Sequence, residues 1–332
     1  MTVTGGEVKF KALMKWLKPA FGYLLAGAGL VWVLYDIQYE KLLGYLSNIN
    51  WWWIAAAVFC DVLSYLCQGL RWRLLLQPVA RISTLHTTQA IYAGLFTNEV
   101  LPMRLGELVR TSLVARWAGA KFLSIIPSIL VERLIDGVWL AVLFGLTAIF
   151  VPLPEMLLKA GDTVGIAVVI ATVIFLSLVR FRPIQKGGWN WKPLRMTISL
   201  IDRLADGLRG LGFTRPFYLA FLLSSALLFL QGLAFWLVMV GYGLHKSFWI
   251  GIAVFLIVHL GTLIPNAPGN VGSYQFFCVL GLSLFGVEKT RATGFSLVVF
   301  ILLSLPLLLI GFVALSRSGT TLLTIRREIN RF

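Results

Sequence analysis

Long apolar stretches separated by short polar segments run through most of the sequence. Six of them approach or exceed the roughly 20 residues that a helix needs to cross a bilayer. They lie at about Ala20–Tyr35, Trp51–Gln68, Phe122–Phe150, Thr163–Val179, Phe217–Val240 and Ala292–Leu315. The pattern predicts an all-α integral membrane protein with six transmembrane helices, and it predicts a short loop over Asp36–Asn50.

Two further apolar regions are interrupted by proline and are too short on either side to span a membrane. The interruptions at Pro102 and Pro265 divide Leu85–Leu101 from Arg104–Trp117, and Trp249–Ile264 from Ser273–Phe285. Proline removes a backbone hydrogen bond and ends a helix. Each region therefore reads as two short helices joined at a break.

The positive charges fix an orientation for these elements. The chain carries a net charge of +15, yet only 13% of its residues are charged, against about 25% in soluble domains. Of the 29 Lys and Arg residues, 23 fall in segments 1–19, 70–84, 104–121, 180–215 and 316–332. Cytoplasmic loops collect such residues. We therefore expect a cytoplasmic-membrane protein with both termini in the cytoplasm, and no role for the charge in binding nucleic acid.

This orientation places both ends of each broken region on one side of the membrane. The broken regions are then two re-entrant helical hairpins that enter from opposite faces, with tips at Pro102 and Pro265. Non-helical backbone at that depth is tolerated where protein buries it or where it lines a wet cavity.

Short matches at a common spacing suggest an internal repeat. Residues 68–70 and 231–233 both read Gln-Gly-Leu and lie 163 positions apart, and the same spacing relates three further pairs: Leu101 to Ile264, Pro102 to Pro265, and Gly106 to Gly269. We expect an inverted repeat within one membrane domain, residues 1–332, with repeat A at about 51–151 and repeat B at about 216–316. Inverted repeats with broken helices are typical of transporters. The alternative is a coincidence between Gly- and Pro-rich loops.

A basic segment at residues 180–215 links the two repeats. Its apolar residues recur at helical spacing: Leu194, Ile198, Ile201, Leu204, Leu208 and Leu211. This spacing predicts an amphipathic helix on the anionic inner leaflet. A solvated connector packed on the protein is the other reading.

The first hairpin carries the clearest candidate site: Asn98, Glu99, Arg104, Glu107 and Arg110. The last three are three residues apart and so share one side of a helix. A guanidinium can clamp a phosphate with two hydrogen bonds, and a helix starting after Pro102 points its positive end at an anion. The functional reading is recognition of a headgroup phosphate; the alternative is a wet surface helix with an internal ion pair.

A second candidate lies inside the third apolar stretch, at Glu132, Arg133 and Asp136. The two carboxylates are four residues apart and share a helix face, so they need a cationic partner, for which Arg110 or Arg104 is the natural choice. Charge within a membrane helix is costly and usually functional. The functional interpretation of this group is a gating pair or a proton-coupled carboxylate. The alternative is a static ion pair that holds two helices together.

Two groups of mostly uncharged polar residues complete the candidate sites. The second stretch carries a polar stripe at Asp61, Ser64, Tyr65 and Gln68, with Gln231 as the repeat counterpart of Gln68. The stripe faces a cavity or forms interhelical hydrogen bonds. The second tip offers exposed backbone groups, or a tight hinge, at Pro265, Asn266, Gly269, Asn270 and Gly272.

The three cysteines and three histidines show no metal-ligand spacing, and no nucleotide loop or nucleophile elbow is present. We therefore expect no metal and no cofactor, and a transporter rather than an enzyme, with a membrane transferase as the alternative.

The same residues resemble a known family. The run from Asn98 to Arg110 looks like the N-x-x-L-P-x-R-x-G-E-x-x-R segment of the lysylphosphatidylglycerol synthetase transmembrane (flippase-like) family. Residues 131–136 resemble its E-R-x-x-D element, and residues 264–272 are similar to its P-x-x-P-G-G-x-G element. Asn270 stands where a Gly is usual, and Gln275 lies near a position where many members carry Glu.

The resemblance implies a lipid-translocating membrane domain. In bifunctional members this domain moves aminoacylated phosphatidylglycerol outward. We expect the partner aminoacyltransferase domain to be absent from this chain, so the resemblance does not identify this protein's substrate. We expect a flippase-like transporter of an anionic phospholipid or lipid-linked intermediate, with membrane lipids as ligands.

The alternatives are a membrane transferase acting on polyprenyl-phosphate-linked sugars, with Glu99, Glu107 or Asp136 as base, and a non-transporting partner of a lipid synthase. Association with a lipid-biosynthetic enzyme and homo-oligomer formation are both left open by the sequence.

Overall fold

The computed structural model describes residues 23–24, 26–35, 37–101, 105–180, 205–210, 212, 214–263 and 267–319, and within these ranges every regular element is a helix. We label as α1 the helical residues 23–24 and 26–34, and as α8 the helical residues 205–210. The other α-helices are α2 Tyr39–Ser47, α3 Trp51–Leu76, α4 Thr84–Val100, α5 Gly106–Trp117, α6 Phe122–Phe150, α7 Glu155–Arg180, α9 Arg215–Gly241, α10 Phe248–Gly261, α11 Ser273–Leu284 and α12 Lys289–Ser316.

Four of the described helices are long and apolar enough to cross a membrane. They are Trp51–Leu76, Leu157–Leu178, Arg215–Gly241 and Lys289–Ser316. The all-α prediction is thus confirmed over the described residues, and four of the six predicted spans are found. The first predicted stretch lies partly outside those residues. α6 is one unbroken helix of 29 residues but carries three charges, so the count of six remains a prediction.

The predicted loop over Asp36–Asn50 is wrong. Residues 39–47 form α2, a helix without a buried residue. Its apolar side chains Tyr39, Leu43 and Leu46 are exposed and recur at intervals of four and three, which places them on one helix face. Because this helix is shorter than a transmembrane span, its apolar residues do not form the long stretch that predicts a membrane helix.

Both Pro-broken regions are antiparallel helix pairs. At the first, the Gly106 backbone N–H at the start of α5 donates to Asn98 Oδ1 at the end of α4, with 2.7 Å between the atoms. At the opposite ends of these helices the rings of His86 and Trp117 lie 5.2 Å apart. In the second pair, a Cβ on Gly281 of α11 would lie 3.2 Å from Val254 of α10. The predicted helix breaks are confirmed, and membrane re-entry remains a prediction.

The chain divides into two compact units. Unit 1 comprises residues 1–61, 95–106 and 232–309, and unit 2 comprises residues 62–94, 107–231 and 310–332. Unit 1 has an apolar core to which α3, α9, α10, α11 and α12 all contribute buried side chains: Ala57, Phe235, Val254, Val279 and Phe295 are examples.

Unit 2 has a smaller apolar core built from Leu75, Val131, Ile135, Phe175, Leu208 and Ala220. Leu208 is one of the linker residues that the helical spacing singled out. It is buried against protein, which fits a packed connector at this position. Residues 181–204 and Leu211, which carry the rest of the predicted amphipathic helix, lie outside the described residues.

The helix bounds follow the spacing of 163 residues that the sequence motifs indicated. Shifted by 163, α3 Trp51–Leu76 falls on 214–239, and the observed helix is Arg215–Gly241. In the same way α4 falls on 247–263, where α10 is Phe248–Gly261. The shifted α5 and α6 fall on 269–280 and 285–313, which is three to four residues before α11 Ser273–Leu284 and α12 Lys289–Ser316. The four-helix order of the two predicted repeats is therefore the same.

The two repeated glycines occupy similar packing positions with different tolerance. A Cβ added to Gly69 would overlap Thr88 of α4 and lie 3.0 Å from the Thr88 Cα, whereas a Cβ on Gly232 would meet side chains alone, with the end of Ile252 the nearest at 2.5 Å. Thr87 Oγ1 also donates to the Gly69 carbonyl at 2.8 Å, which holds the helices in close contact.

We predict that Gly69→Ala lowers the free energy of unfolding by about 1–3 kcal/mol through overpacking. Gly232→Ala should cost less, because an isoleucine side chain can rotate away and backbone cannot. Gly145→Ala is the matched control, since nothing lies within 4 Å of a Cβ there. Thermal unfolding in detergent checks the order, and equal losses at Gly69 and Gly145 would contradict it.

Candidate functional site

Arg71 is the centre of a charged cluster in unit 2. It lies on α3, and its side chain is 0% exposed. Arg71 Nη2 donates to Glu132 Oε1 at 2.5 Å, and Arg71 Nη1 donates to Asp136 and to Ser224 Oγ at 2.8 Å. One guanidinium thus ties α3 to α6 and α9. A planar, permanently charged group with several donors suits this role better than a lysine ammonium.

Glu132 is shared between two arginines. Its side chain is 0% exposed, and Arg110 Nη2 of α5 lies 3.1 Å from Glu132 Oε2. The Arg110 guanidinium also lies over the ring of Trp72, 4.7 Å from its centroid, and Trp72 is fixed in turn by a hydrogen bond to Ser128 Oγ at 3.1 Å. Arg71, Glu132 and Arg110 form a buried layer, the triad.

A second layer of the cluster is open to the surroundings. Arg133 is 51% exposed and pairs with Glu107 at 3.0 Å, Glu107 being 46% exposed. Arg133 also lies 3.6 Å from Asp136, which is 32% exposed. Because Asp136 contacts both Arg71 and Arg133, it joins the triad to the open layer. The six side chains carry three positive and three negative charges.

The predicted pair of Arg110 with Glu132 is present in the structure. Glu107 and Arg110, expected to act on the same side of one helix, have different partners: Glu107 binds Arg133, whereas Arg110 binds Glu132. The partner of Asp136 is Arg71 rather than Arg110. Arg104, the other predicted clamp residue, lies outside the described residues, as does Pro102.

Sequence reasoning missed Arg71, which it assigned to a basic segment after the second span. The helix continues to Leu76, so Arg71 is inside it. A signal was available, because Asp61, Ser64, Gln68 and Arg71 follow one another at intervals of three and four residues, which is the spacing of one helix face.

The rest of the polar stripe on α3 is buried or partly buried. Gln68 Nε2 donates to Glu132 Oε1 at 3.4 Å, and the Tyr65 ring lies 5.3 Å from that of Tyr92. Ser64 is fully buried in unit 2, and Asp61 is buried in unit 1. Gln231, the counterpart of Gln68, is partly exposed. The cluster therefore includes Gln68 from this group.

In unit 1 the first hairpin contacts the second tip. Gly269 has a φ of 67°, and a Cβ there would lie 2.8 Å from Glu99 Oε2, so the Glu99 carboxylate lies directly on the backbone of the tip. Asn98, one residue before it, caps the start of α5 through Gly106. Two predicted site residues thus organise this contact.

The second tip has left-handed backbone at three positions. Gly269, Asn270 and Gly272 have φ values of 67°, 54° and 87°. Asn is among the few residues other than Gly that tolerate this region, which accounts for Asn270 where the resembling family has Gly. Gln275 Oε1 accepts a hydrogen bond from the Gly272 N–H at 2.7 Å, and so caps α11 without a charge. Pro265 and Asn266 lie outside the described residues.

The cluster provides guanidinium groups and carboxylates that can exchange partners, with one open side. Such a site suits binding and release of an anion such as a phosphate. Within the described residues, no group of three His, Cys, Asp or Glu side chains could hold a metal ion.

The helices and the cluster define the class of protein: an all-α membrane protein with ionised side chains buried between its helices. A family model described as "Lysylphosphatidylglycerol synthase TM region" matches residues 19–311. The chain belongs to this family, as its motifs had predicted. A "UPF0104 membrane protein" from Methanothermobacter thermautotrophicus is 25% identical over 299 residues, covering 84% of this chain and 86% of that protein.

Proposed function

We propose that this protein is a lipid transporter that moves an anionic phospholipid or a lipid-linked intermediate across the cytoplasmic membrane. The family supports a role in lipid handling at a membrane. The observation that carries the proposal is the charged cluster on α3, α5 and α6, because it places ionised groups where the packing of the protein does not require them.

The second repeat supports this reading of the cluster. The positions 163 residues after Arg71, Arg110, Glu132 and Asp136 are buried and carry no charge: Ala234, Ser273, Phe295 and Val299. The positions at this spacing are therefore buried in unit 1 without ionised side chains. A buried ion pair is seldom more stabilising than apolar packing, and charges in membrane helices usually serve a function.

The proposed architecture has six spans and two re-entrant hairpins. The six spans are the four candidate helices together with α1 and α6. The two hairpins are the pairs α4–α5 and α10–α11. Inverted repeats whose broken helices meet near the midplane of the membrane are a common transporter plan.

The proposed orientation, with both termini in the cytoplasm, leaves five cations on the outer side, and each has a local partner. Lys246, Lys289 and Arg291 donate to the Phe285, Tyr35 and Gly243 carbonyls, which follow the C-terminal ends of helices and are negative. Lys41 and Lys159 pair with Glu288 and Glu155. These local partners support treating the five outer cations as exceptions to the rule that positive charge stays inside.

The mechanism that fits the cluster is an exchange of partners. The phosphate of a headgroup entering from the cytoplasmic side takes hydrogen bonds from arginines of the cluster while the acyl chains remain in lipid. When the headgroup leaves, the carboxylates of Glu107, Glu132 and Asp136 pair with those arginines again. Transport of this kind is passive or coupled to an ion.

Proteoliposomes with fluorescent lipids test the function. We predict that the wild-type protein accelerates movement of an anionic lipid between leaflets over protein-free vesicles, and that Asp136→Asn lowers this rate at least about tenfold, since it removes the carboxylate that joins the two layers. Glu155→Gln, which breaks an exposed ion pair with Lys159, is the control and should transport normally.

Two other outcomes would overturn the proposal. Turnover of a lipid-linked sugar without movement between leaflets would identify a transferase. No effect of the wild-type protein on any lipid, with normal lipid sidedness in cells that carry the charge variants, would identify a non-transporting partner of a lipid synthase.

A further inference from the structure

The two layers of the cluster differ in how easily an incoming anion can reach them. Arg71 and Glu132 are 0% exposed, and Arg110 is 5% exposed. Arg133 is 51% exposed and its partner Glu107 is 46% exposed. A phosphate can contact Arg133 without entering the protein interior, whereas Arg71 and Arg110 are enclosed by their own partners.

The charge balance means that an anion must compete with the protein's own carboxylates. Three arginines face three carboxylates in the cluster, so adding a phosphate without moving a carboxylate leaves an excess of negative charge. Among the described residues Glu107 forms its ion pair with Arg133, whereas Asp136 is also held by Arg71. Glu107 is therefore the carboxylate that can leave with the least disturbance.

The position of Glu107 makes its release favourable. It stands in the first turn of α5, where the unpaired N–H groups and the helix dipole stabilise a negative charge. An exposed ion pair such as Glu107–Arg133 also contributes little to stability, so its exchange for a phosphate disturbs the fold little.

We propose that Arg133 is the residue that binds the phosphate group of the lipid headgroup, and that Glu107 is an internal competitor which occupies Arg133 when the site is empty. This inference rests on the proposed function and names the binding residue within it. It differs from the expectation that Arg104 and Arg110 form the clamp, since Arg110 is enclosed in the triad.

The two members of this ion pair should then have opposite effects on ligand binding. In a static lock, loss of either partner acts in the same direction. With competition, Arg133→Gln removes the ligand's partner and weakens binding, whereas Glu107→Gln removes the competitor and strengthens it. A charge-assisted hydrogen bond to phosphate corresponds to a change of about tenfold or more in affinity.

The experiment is a calorimetric titration of the detergent-solubilised, full-length protein with short-chain phosphatidylglycerol. We expect Arg133→Gln to weaken binding at least about tenfold and Glu107→Gln to tighten it about threefold to tenfold. Arg133→Lys should retain part of the affinity as a point charge. Glu155→Gln and Lys159→Gln, which break an exposed ion pair on α7, are matched controls and should bind as the wild type does.

Further ligands separate a lipid headgroup from free phosphate. If inorganic phosphate alone reproduces the opposite shifts and the short-chain lipid does not, the lipid assignment is overturned. Equal weakening by Arg133→Gln and Glu107→Gln, or no change in either, would overturn the competition. If Arg133→Gln does not fold, the tightening by Glu107→Gln and the partial effect of Arg133→Lys still decide the question.

Different results would contradict the role of Arg133 and the proposed lipid transport. A wild-type protein that moves lipid between leaflets, with both variants binding and transporting normally, leaves the function intact and removes Arg133 as its binding residue. Opposite shifts in binding by a protein that moves no lipid leave the anion site intact and remove transport.

Discussion

Arg71→Ala should be the most destabilising single substitution in the charged cluster. Arg71 is 0% exposed and is bound to two carboxylates. Its loss leaves Arg110 as the ion-pair partner of Glu132 and removes the ion pairs between α3 and α6, so that the hydrogen bonds from Gln68 to Glu132 and from Trp72 to Ser128 are what still join the two helices there. Removing one partner of a buried ion pair costs about 3–5 kcal/mol, because the charge that stays behind remains buried. This is a large part of the roughly 5–15 kcal/mol that stabilises a typical protein.

Equilibrium unfolding of the purified protein in detergent would measure this loss. Arg133→Ala is the matched control in the same cluster, since that side chain is 51% exposed and exposed pairs contribute about 0–1 kcal/mol. Arg71→Lys should fall between the two, because an ammonium cannot reproduce the planar set of donors that reaches both carboxylates. Equal stability of Arg71→Ala and Arg133→Ala would show that the buried layer does not hold the helices.

The sequence predicted those features of this protein that depend on neighbouring residues. The breaks between α4 and α5 and between α10 and α11 follow from local proline and glycine chemistry, and the bounds of α6, Phe122–Phe150, coincide with the predicted stretch. The helix α2 was missed because nine residues give too short an apolar pattern to stand out from a loop.

The partners within the cluster depend on how helices meet, which residue spacing alone does not determine. Glu107 and Arg110 are three residues apart on α5, yet Glu107 turns to Arg133 and Arg110 to Glu132. Arg71 was assigned to a loop because polar residues become more frequent from Gln68 onward, which suggested that the apolar stretch ends there. Whether an arginine at the end of a span is buried depends on the carboxylates that α6 brings to it, which are 61 and 65 residues further along the chain.

Replacing the buried charges together should abolish lipid transport while the protein still folds. We predict that a variant carrying Arg71→Met, Arg110→Met, Glu132→Leu and Asp136→Val folds and loses lipid transport. These replacements keep approximate volume, and the counterpart positions Ala234, Ser273, Phe295 and Val299 are buried without charge. Replacing a buried ion network by apolar residues of similar size is often neutral or stabilising, by about 1–4 kcal/mol.

Two buried polar groups beside the cluster keep a hydrogen bond in this variant, while the half-buried Gln68 loses its acceptor on Glu132. Ser224 Oγ, which accepts from Arg71, also donates to the Ala220 carbonyl at 3.0 Å, so it keeps a hydrogen bond when Arg71 is replaced. Trp72 keeps its bond to Ser128 Oγ. The pair of Arg133 with Glu107 stays in place, so the first contact with an anion is retained and only the groups behind it are removed.

Two measurements on the same preparation decide the outcome. We expect helical content and unfolding midpoint at or above those of the wild type, together with lipid movement at the level of protein-free vesicles. Transport at the wild-type rate would mean that the buried charges only lock helices together. A variant that fails to fold, beside a wild type that does, would mean that the apolar packing of the second repeat cannot be transferred to the first, and that the triad is part of the fold as well as of the site.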